Sequence, residues 1–246
     1  MSSFKYTMND IEISNELFKS RCEKITELTK AAPQLTLAQF VKSVKPGDVL
    51  IAYPRTSKIP FFKKISTTIN QFIQGSSFTS SKLIGKDGRE VIGYDARMGH
   101  GLSLSVCPVT TFLKDHEVTL LLRRDDLTQA QIDKLVRFMY DRKREGTPYA
   151  FDKVFQSVLK HLTNSVSETD DSLSTNDEIV PESSLKEKIS TLFCSSIIGY
   201  AYRVAGATLK YLTNVTDDYV WPRDLMMSPN LRVIGGFFAK ESGLRK

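Results

Sequence analysis

The chain has 246 residues, of which 41% are apolar, 25% charged and 10% aromatic, so it is not disordered throughout, collagen-like or a coiled coil. That length can bury a real core in one large domain or two small ones. Lys and Arg number 34 against 28 Asp and Glu; the resulting +6 permits an acidic partner without demanding one, and three cysteines (Cys22, Cys107, Cys194) are too few and too dispersed for a disulfide scaffold or a four-ligand zinc site.

In chain order, Ile11, Leu17, Cys22, Ile25 and Leu28 fall on one helical stripe that Ala31-Ala32-Pro33 ends. A short helix is predicted from Thr36 to Val44, before Pro46-Gly47, and Asp48 to Tyr53 reads as a buried strand. Residues 57–74 mix Lys58, Lys63 and Lys64 with Phe61, Phe62, Ile65, Ile69 and Phe72 at helical spacing. An amphipathic helix covering the fold accounts for that pattern, and membrane-surface contact is the weaker alternative. Strands are expected at Phe78–Gly85 and Arg89–Asp95, joined by a hairpin. With Asp87-Gly88 as its two loop residues, a pair that favours a primed turn, Lys86 faces Arg89 and Ser80 faces Asp95. Gly101–Val106 and Val118–Leu122 are further strands. Thr128 caps a helix over Gln129–Arg144, and Tyr149-Ala-Phe-Asp152 is followed by a helical stretch to about Leu162.

Residues 163–184 hold six acidic and no basic side chains, so the remainder carries +12. This Ser/Thr/Asp/Glu tract reads as a disordered surface loop inside one fold, because element-like sequence flanks it on both sides. Beyond it, Ser190 or Thr191 can cap a helix running to Gly206, with Cys194 in its first turn or just past it.

A thiol near a helix N-terminus has its thiolate favoured by the dipole and free amides, which makes Cys194 a candidate nucleophile. Its apolar followers Ile198, Ala201 and Ala205 equally suit a small buried side chain. Among the three histidines, His116 sits in a polar Lys-Asp-His-Glu turn and is expected to face solvent. His161 lies in a helix leading to the acidic tract. His100, between Gly99 and Gly101, is the candidate base, five residues or roughly 16 Å of extended chain past Asp95. GxxxxGK[ST], GxGxxG, HExxH and paired CxxC motifs are all missing, so no cofactor or metal is expected. The basic clusters alternate with Asp125, Asp126, Asp141 and Glu145, so nucleic acid is not an expected partner. The N-terminus MSSFKYTMNDIEIS has no signal-peptide pattern and no apolar run reaches 18 residues, so a soluble protein made in the reducing cytoplasm is expected.

The order of segments resembles a circularly permuted papain-fold family of the YiiX/YebB-like kind, in the wider NlpC-type and lecithin:retinol acyltransferase-like group. Pro46-Gly47-Asp48-Val49-Leu50 is similar to the family's opening strand, and Ser76-Ser77-Phe78-Thr79-Ser80 resembles the segment ending in its catalytic histidine. Val91–Ala96 resembles the strand carrying the acidic partner, and Gly146-Thr147-Pro148-Tyr149 with Asp152 a Gly…Tyr-Asp segment. Phe193-Cys194-Ser195-Ser196 resembles the nucleophile helix, and Trp221–Leu225 with Ser228-Pro229 the closing segment. The resemblance implies an α+β permuted papain-like domain over 45–240, with a small antiparallel, barrel-like sheet packed on the nucleophile helix and a helical extension over 1–44. It also implies a cysteine hydrolase, a peptidase, amidase or acyl-transfer enzyme, acting on a peptide, amide or acyl substrate through a thioester. Cys194 is then the nucleophile and Asp95 the imidazole's partner. The histidine position holds Ser80, or Ser81 if the match slips by one, and serine cannot serve as a base at neutral pH. Three outcomes are open: His100 substitutes, Asp95 takes the proton itself, or the protein is an inactive pseudo-enzyme serving as a binding or structural part of a larger assembly such as a viral particle.

Overall fold

Helix-ending and capping signals in the first fifty residues are obeyed closely. A computed structural model describes residues 23–54, 80–87, 90–96, 104–146, 194–211 and 220–239. Helix α1 (residues 23–31) gives way at Ala32-Pro33. Helix α2 (Leu37–Ser43) starts from a Thr36 cap, whose hydroxyl accepts the Gln39 N–H while the Gln39 side chain accepts the Thr36 N–H. Strands β1 (Val49–Pro54), β2 (Ser80–Asp87), β3 (Glu90–Ala96) and β4 (Leu104–Pro108) follow. Helix α3 (Val109–Asp115) leads into β5 (His116–Arg123), and Thr128 repeats the reciprocal cap at α4 (Gln129–Arg144). Helices α5 (Cys194–Val204) and α6 (Pro222–Met226) and strand β6 (Arg232–Phe238) complete the order.

The six strands form one antiparallel sheet in the order β4-β3-β2-β1-β5-β6, with β1 paired to β2 on one side and β5 on the other. Val49, Ile51, Leu83, Ile92, Tyr94, Val118, Leu120 and Leu122 bury one face under α4 and α5. Leu50, Ala52, Ile84 and Leu121 bury the other under Phe40 of α2 and Phe112 and Leu113 of α3. Cover on both sides is why β1 and β5 read as unbroken apolar runs rather than alternating ones. Ile25 and Ala32 of the N-terminal region join the first face's core.

Two expectations need correction. The sheet is open, with β4 and β6 at its two edges, and not barrel-like. In the β2–β3 hairpin, Leu83 faces Tyr94 and Asp87 faces Glu90, so the two residues between the strands are Gly88 and Arg89. Glycine in the first loop position is the other choice that a two-residue hairpin accepts. The pairing is thus two residues from the expected one, with Lys86 across from Val91 and not Arg89, and it does not set Asp95 across from Ser80. A shift of two leaves each side chain on its own face, so the apolar pattern cannot distinguish these registers.

Helices α3 and α6 and strand β6 carry weak sequence signals. Helix α3 spans seven residues without a side-chain cap, and β6 contains Gly235-Gly236. The glycines serve packing: a Cβ at Gly235 would stand 2.7 Å from Leu35 Cδ1 and 2.9 Å from the Pro33 carbonyl oxygen. That closeness lets Pro33–Leu35 lie along the β6 edge, where the Leu35 N–H donates to Gly236 O and the Gly236 N–H to Pro33 O. The helical expectations for 57–74 and for the stretch after Asp152 to about Leu162, the stripe up to Cys22, the acidic tract and the Ser190/Thr191 cap lie outside the described residues.

At one end of the central strands, Asp48 is 2% exposed and Arg123 19%. The Arg123 guanidinium donates from Nε to Asp48 Oδ1 (2.7 Å) and from Nη2 to Oδ2 (2.8 Å) and the Ser43 carbonyl (2.6 Å), while the Lys45 N–H also donates to Oδ2 (2.7 Å). Burial holds the Asp48 carboxyl above its usual range, against the pull of Arg123 and the Lys45 amide. The pair therefore specifies where the α2–β1 loop meets β5 more than it adds net stability. Replacing Arg123 by Met strands the carboxylate and raises its folded-state pKa further. A raised carboxyl pKa gives stability that is present at low pH and lost as pH rises through it. Arg123→Met should therefore cost about 2–3 kcal/mol in urea unfolding at pH 7, less towards pH 4, and less at pH 7 when combined with Asp48→Asn.

Candidate functional site

Helix α5 is the element around which a thiol site would be built. Ser195 through Tyr202 are all buried, and Cys194, the first described residue of the helix, is half-buried and forms no disulfide. Hydrogen bonds fasten the helix near both ends. The Ser195 hydroxyl donates to Val220 O (2.6 Å), and the Tyr202 hydroxyl donates to Gly47 O (2.7 Å) at the turn before β1. Burial pushes the Tyr202 phenol well above its ordinary pKa, so it stays a donor. Cys194 lies eight residues before Tyr202, roughly 12 Å along the axis, and so at the end of α5 held by Val220.

That end meets a buried closing segment. The Asp224 carboxylate accepts the Trp221 N–H (2.8 Å), closing the first turn of α6 from within, and Arg223 Nε stands 3.4 Å from Asp224 Oδ1 with both residues 2% exposed. Leu225 and Met226 enter the same core as Ile197 and Ile198 of α5. The buried Arg-Asp pair escaped the sequence reading, although a Pro at the first position of a helix with Asp two residues on is an N-terminal signature.

Strand alternation sorts the candidate positions. Ser81 pairs with Ile51 and lies between Ser80 and Lys82, on the face covered by α5; Ser80 pairs with Ala52 on the face covered by α2 and α3. Of the two serines matching the base position, Ser81 is thus the one turned towards the Cys194 helix. It is wholly buried, and its hydroxyl has no hydrogen-bond partner among the described residues. Position 95 alternates with Tyr94, whose ring lies in the α4–α5 core, and the register does not set it across from Ser80. His100 and His161 lie outside the described residues.

His116 is not solvent-facing as its polar neighbours suggest. Its place directly after α3 folds it back onto that helix: it is buried, donates from Nδ1 to Phe112 O (2.7 Å), and its ring centroid is 4.0 Å from that of Phe112. Lys82 reaches the same Phe112 ring, with Nζ 4.8 Å from the centroid. Its stem crosses Gly93, where a Cβ would stand 2.8 Å from Lys82 Cδ. Among the described residues no three His, Cys, Asp or Glu side chains gather as metal ligands, and no helix is long and apolar enough to cross a membrane.

No protein-family model and no curated protein matches the chain. Among solved structures it is similar to the crystal structure of the metalloprotein YiiX from Escherichia coli O157:H7, with a TM-score of 0.51 and 12% sequence identity over 79% of this chain and 98% of that one. The fold is therefore YiiX-like, an α+β arrangement with an open antiparallel sheet. The described residues bring no ligand set to which the neighbour's metal could be transferred.

The two buried serines should respond oppositely to truncation. Ser195→Ala removes a donor from Val220 O and should cost about 1–2 kcal/mol in urea unfolding, whereas Ser81→Ala removes an unpaired hydroxyl and should be neutral or stabilising.

Proposed function

We propose that the chain is a degenerate relative of papain-like cysteine hydrolases, keeping Cys194 at the nucleophile position on a firmly held helix but lacking the base that would activate it. The observation that carries this reading is the buried Ser81 hydroxyl, unpartnered among the described residues, on the sheet face that α5 covers. The YiiX-like fold and the order of Gly47-Asp48, the serine pair, the cysteine helix and the Trp221–Leu225 segment support the papain-like assignment.

In the active scheme an imidazole takes the thiol proton, the thiolate attacks a carbonyl carbon, and a thioester forms as the leaving group departs with the proton. A serine hydroxyl, with a pKa far above neutrality, cannot accept that proton, and losing a general base typically costs about 10²–10⁴ in rate. Such a site would recognise a peptide, amide or acyl group without turning it over. That suits a binding or structural component of an assembly, a viral particle among them.

Competitive alkylation with iodoacetamide tests the reading, with half-buried Cys107 as the internal reference. Cys194 should label no more than a few times faster than Cys107 at pH 6.5, and its rate should rise smoothly with pH. Preferential labelling by about tenfold or more, with an inflection near pH 6–7, would mean that an imidazole assists the thiol. It would restore the active-hydrolase reading with His100 as base and Asp95 as its partner.

A further inference from the structure

A second feature lies at the other end of α5 and takes no part in the thiol site. Between α4 and the β2–β3 hairpin runs an open groove of about 450 Å³, with Pro46 at one end beside the Gly47 carbonyl that holds Tyr202. One wall is a continuous face of α4, from Gln129 to Lys143, about 21 Å long at 1.5 Å per residue. The face opposite is the one α4 packs into the core through Leu135, Phe138 and Met139. Ile132, Val136 and Tyr140 recur every four residues along the groove, and the core residues Ile92 and Tyr94 of β3, 5% and 3% exposed, also border it. Tyr140 is 54% exposed, one of two large apolar side chains so exposed among the described residues.

The rim charge is one-sided. Lys86, Arg137 and Lys143 border the groove against the single acid Asp133, which already accepts from the Gln129 amide at 2.8 Å. Lys86 and Lys143 form no ion pair among the described residues. Arg137 reaches Asp141 only at 3.8 Å, with its side chain 86% exposed. Apolar walls with a rim of net positive charge match a ligand that is apolar on one side and acidic on the other. An extended peptide has that form, since its successive side chains point to opposite sides. The groove's length fits about six such residues at 3.3 Å each.

We propose that this groove docks an extended segment of a partner protein in which acidic and apolar residues alternate, the apolar ones against Val136 and Tyr140 and the acidic ones at Lys86, Arg137 and Lys143. The site is independent of the Cys194 chemistry, since no residue of α5 lines the groove.

The probe is a fluorescein-labelled nonapeptide alternating Glu and Leu, titrated against the full chain by fluorescence anisotropy at low and physiological salt. Binding should saturate below about 1 mM and weaken with salt. It should also weaken about tenfold in Arg137→Glu/Lys143→Glu, whose exposed positions leave the fold intact by far-UV circular dichroism. Lys210→Glu, outside the groove, should bind as the parent does. Three results would overturn the proposal: no saturable binding, equal binding of the matching Lys/Leu peptide, or an equal loss in Lys210→Glu. Displacement of the peptide by an equimolar single-stranded oligonucleotide would also overturn it, since the groove would then be a nucleic-acid site.

Discussion

Burial of the central strands on both faces governs everything else in this molecule. With α4 and α5 on one side and α2 and α3 on the other, β1 has no face left for water, and a one-residue slip would exchange two complete sets of packing partners. That constraint makes parity reliable enough to reason from. It puts Ser81, and not Ser80, under the cysteine helix, and Lys82 over Phe112. It also concentrates the cost of polar atoms. The Ser81 and Thr119 hydroxyls are buried with no hydrogen-bond partner among the described residues, a cost that asks for a reason beyond stability.

Polar anchors sit where that apolar interior ends. Asp48 and Arg123 close one end of β1 and β5, and the Tyr202 hydroxyl reaches Gly47 one residue before Asp48, so helix and sheet are fastened at the same corner. Ser195 and Val220 fasten the far end of α5 to the closing segment. A helix held at both ends cannot slide along the sheet, and its first described residue, Cys194, inherits that rigidity. Such placement is what a catalytic thiol requires, and it persists whether or not a base is present.

Local signals were legible wherever the chemistry is local. Thr36 with Gln39 and Thr128 with Gln131 start helices where their side chains say, because a capping box needs only residues within one turn. The apolar runs of β1 and β5 likewise announce burial. What could not be read depends on partners distant in the chain. The hairpin register is invisible because a shift of two conserves every face, and the open sheet differs from a barrel only in whether the edges β4 and β6 meet. Strand β6 hides behind glycines whose purpose is the close approach of Pro33 and Leu35, some 200 residues earlier. His116 looks solvated among charges because nothing nearby reveals that α3 turns it inward. The helix that begins at Cys194 among the described residues was legible from type and spacing. The choice between Ser80 and Ser81 needed the pairing with β1.

The two ends of α5 answer different questions about function. At the Cys194 end, α5 meets the buried Arg223 and Asp224 of the closing segment, and Ser81 lies on the sheet face that α5 covers. At the Gly47 end, a basic, partly apolar groove offers recognition with no reactive group among its lining residues. A small apolar residue at position 81 would pack there without the penalty of a buried hydroxyl that has no partner among the described residues. The fold also holds the groove in place, because Tyr202 fastens α5 beside Pro46 and α4 packs on the sheet alongside it. The constraint that positions α5 thus also positions the groove.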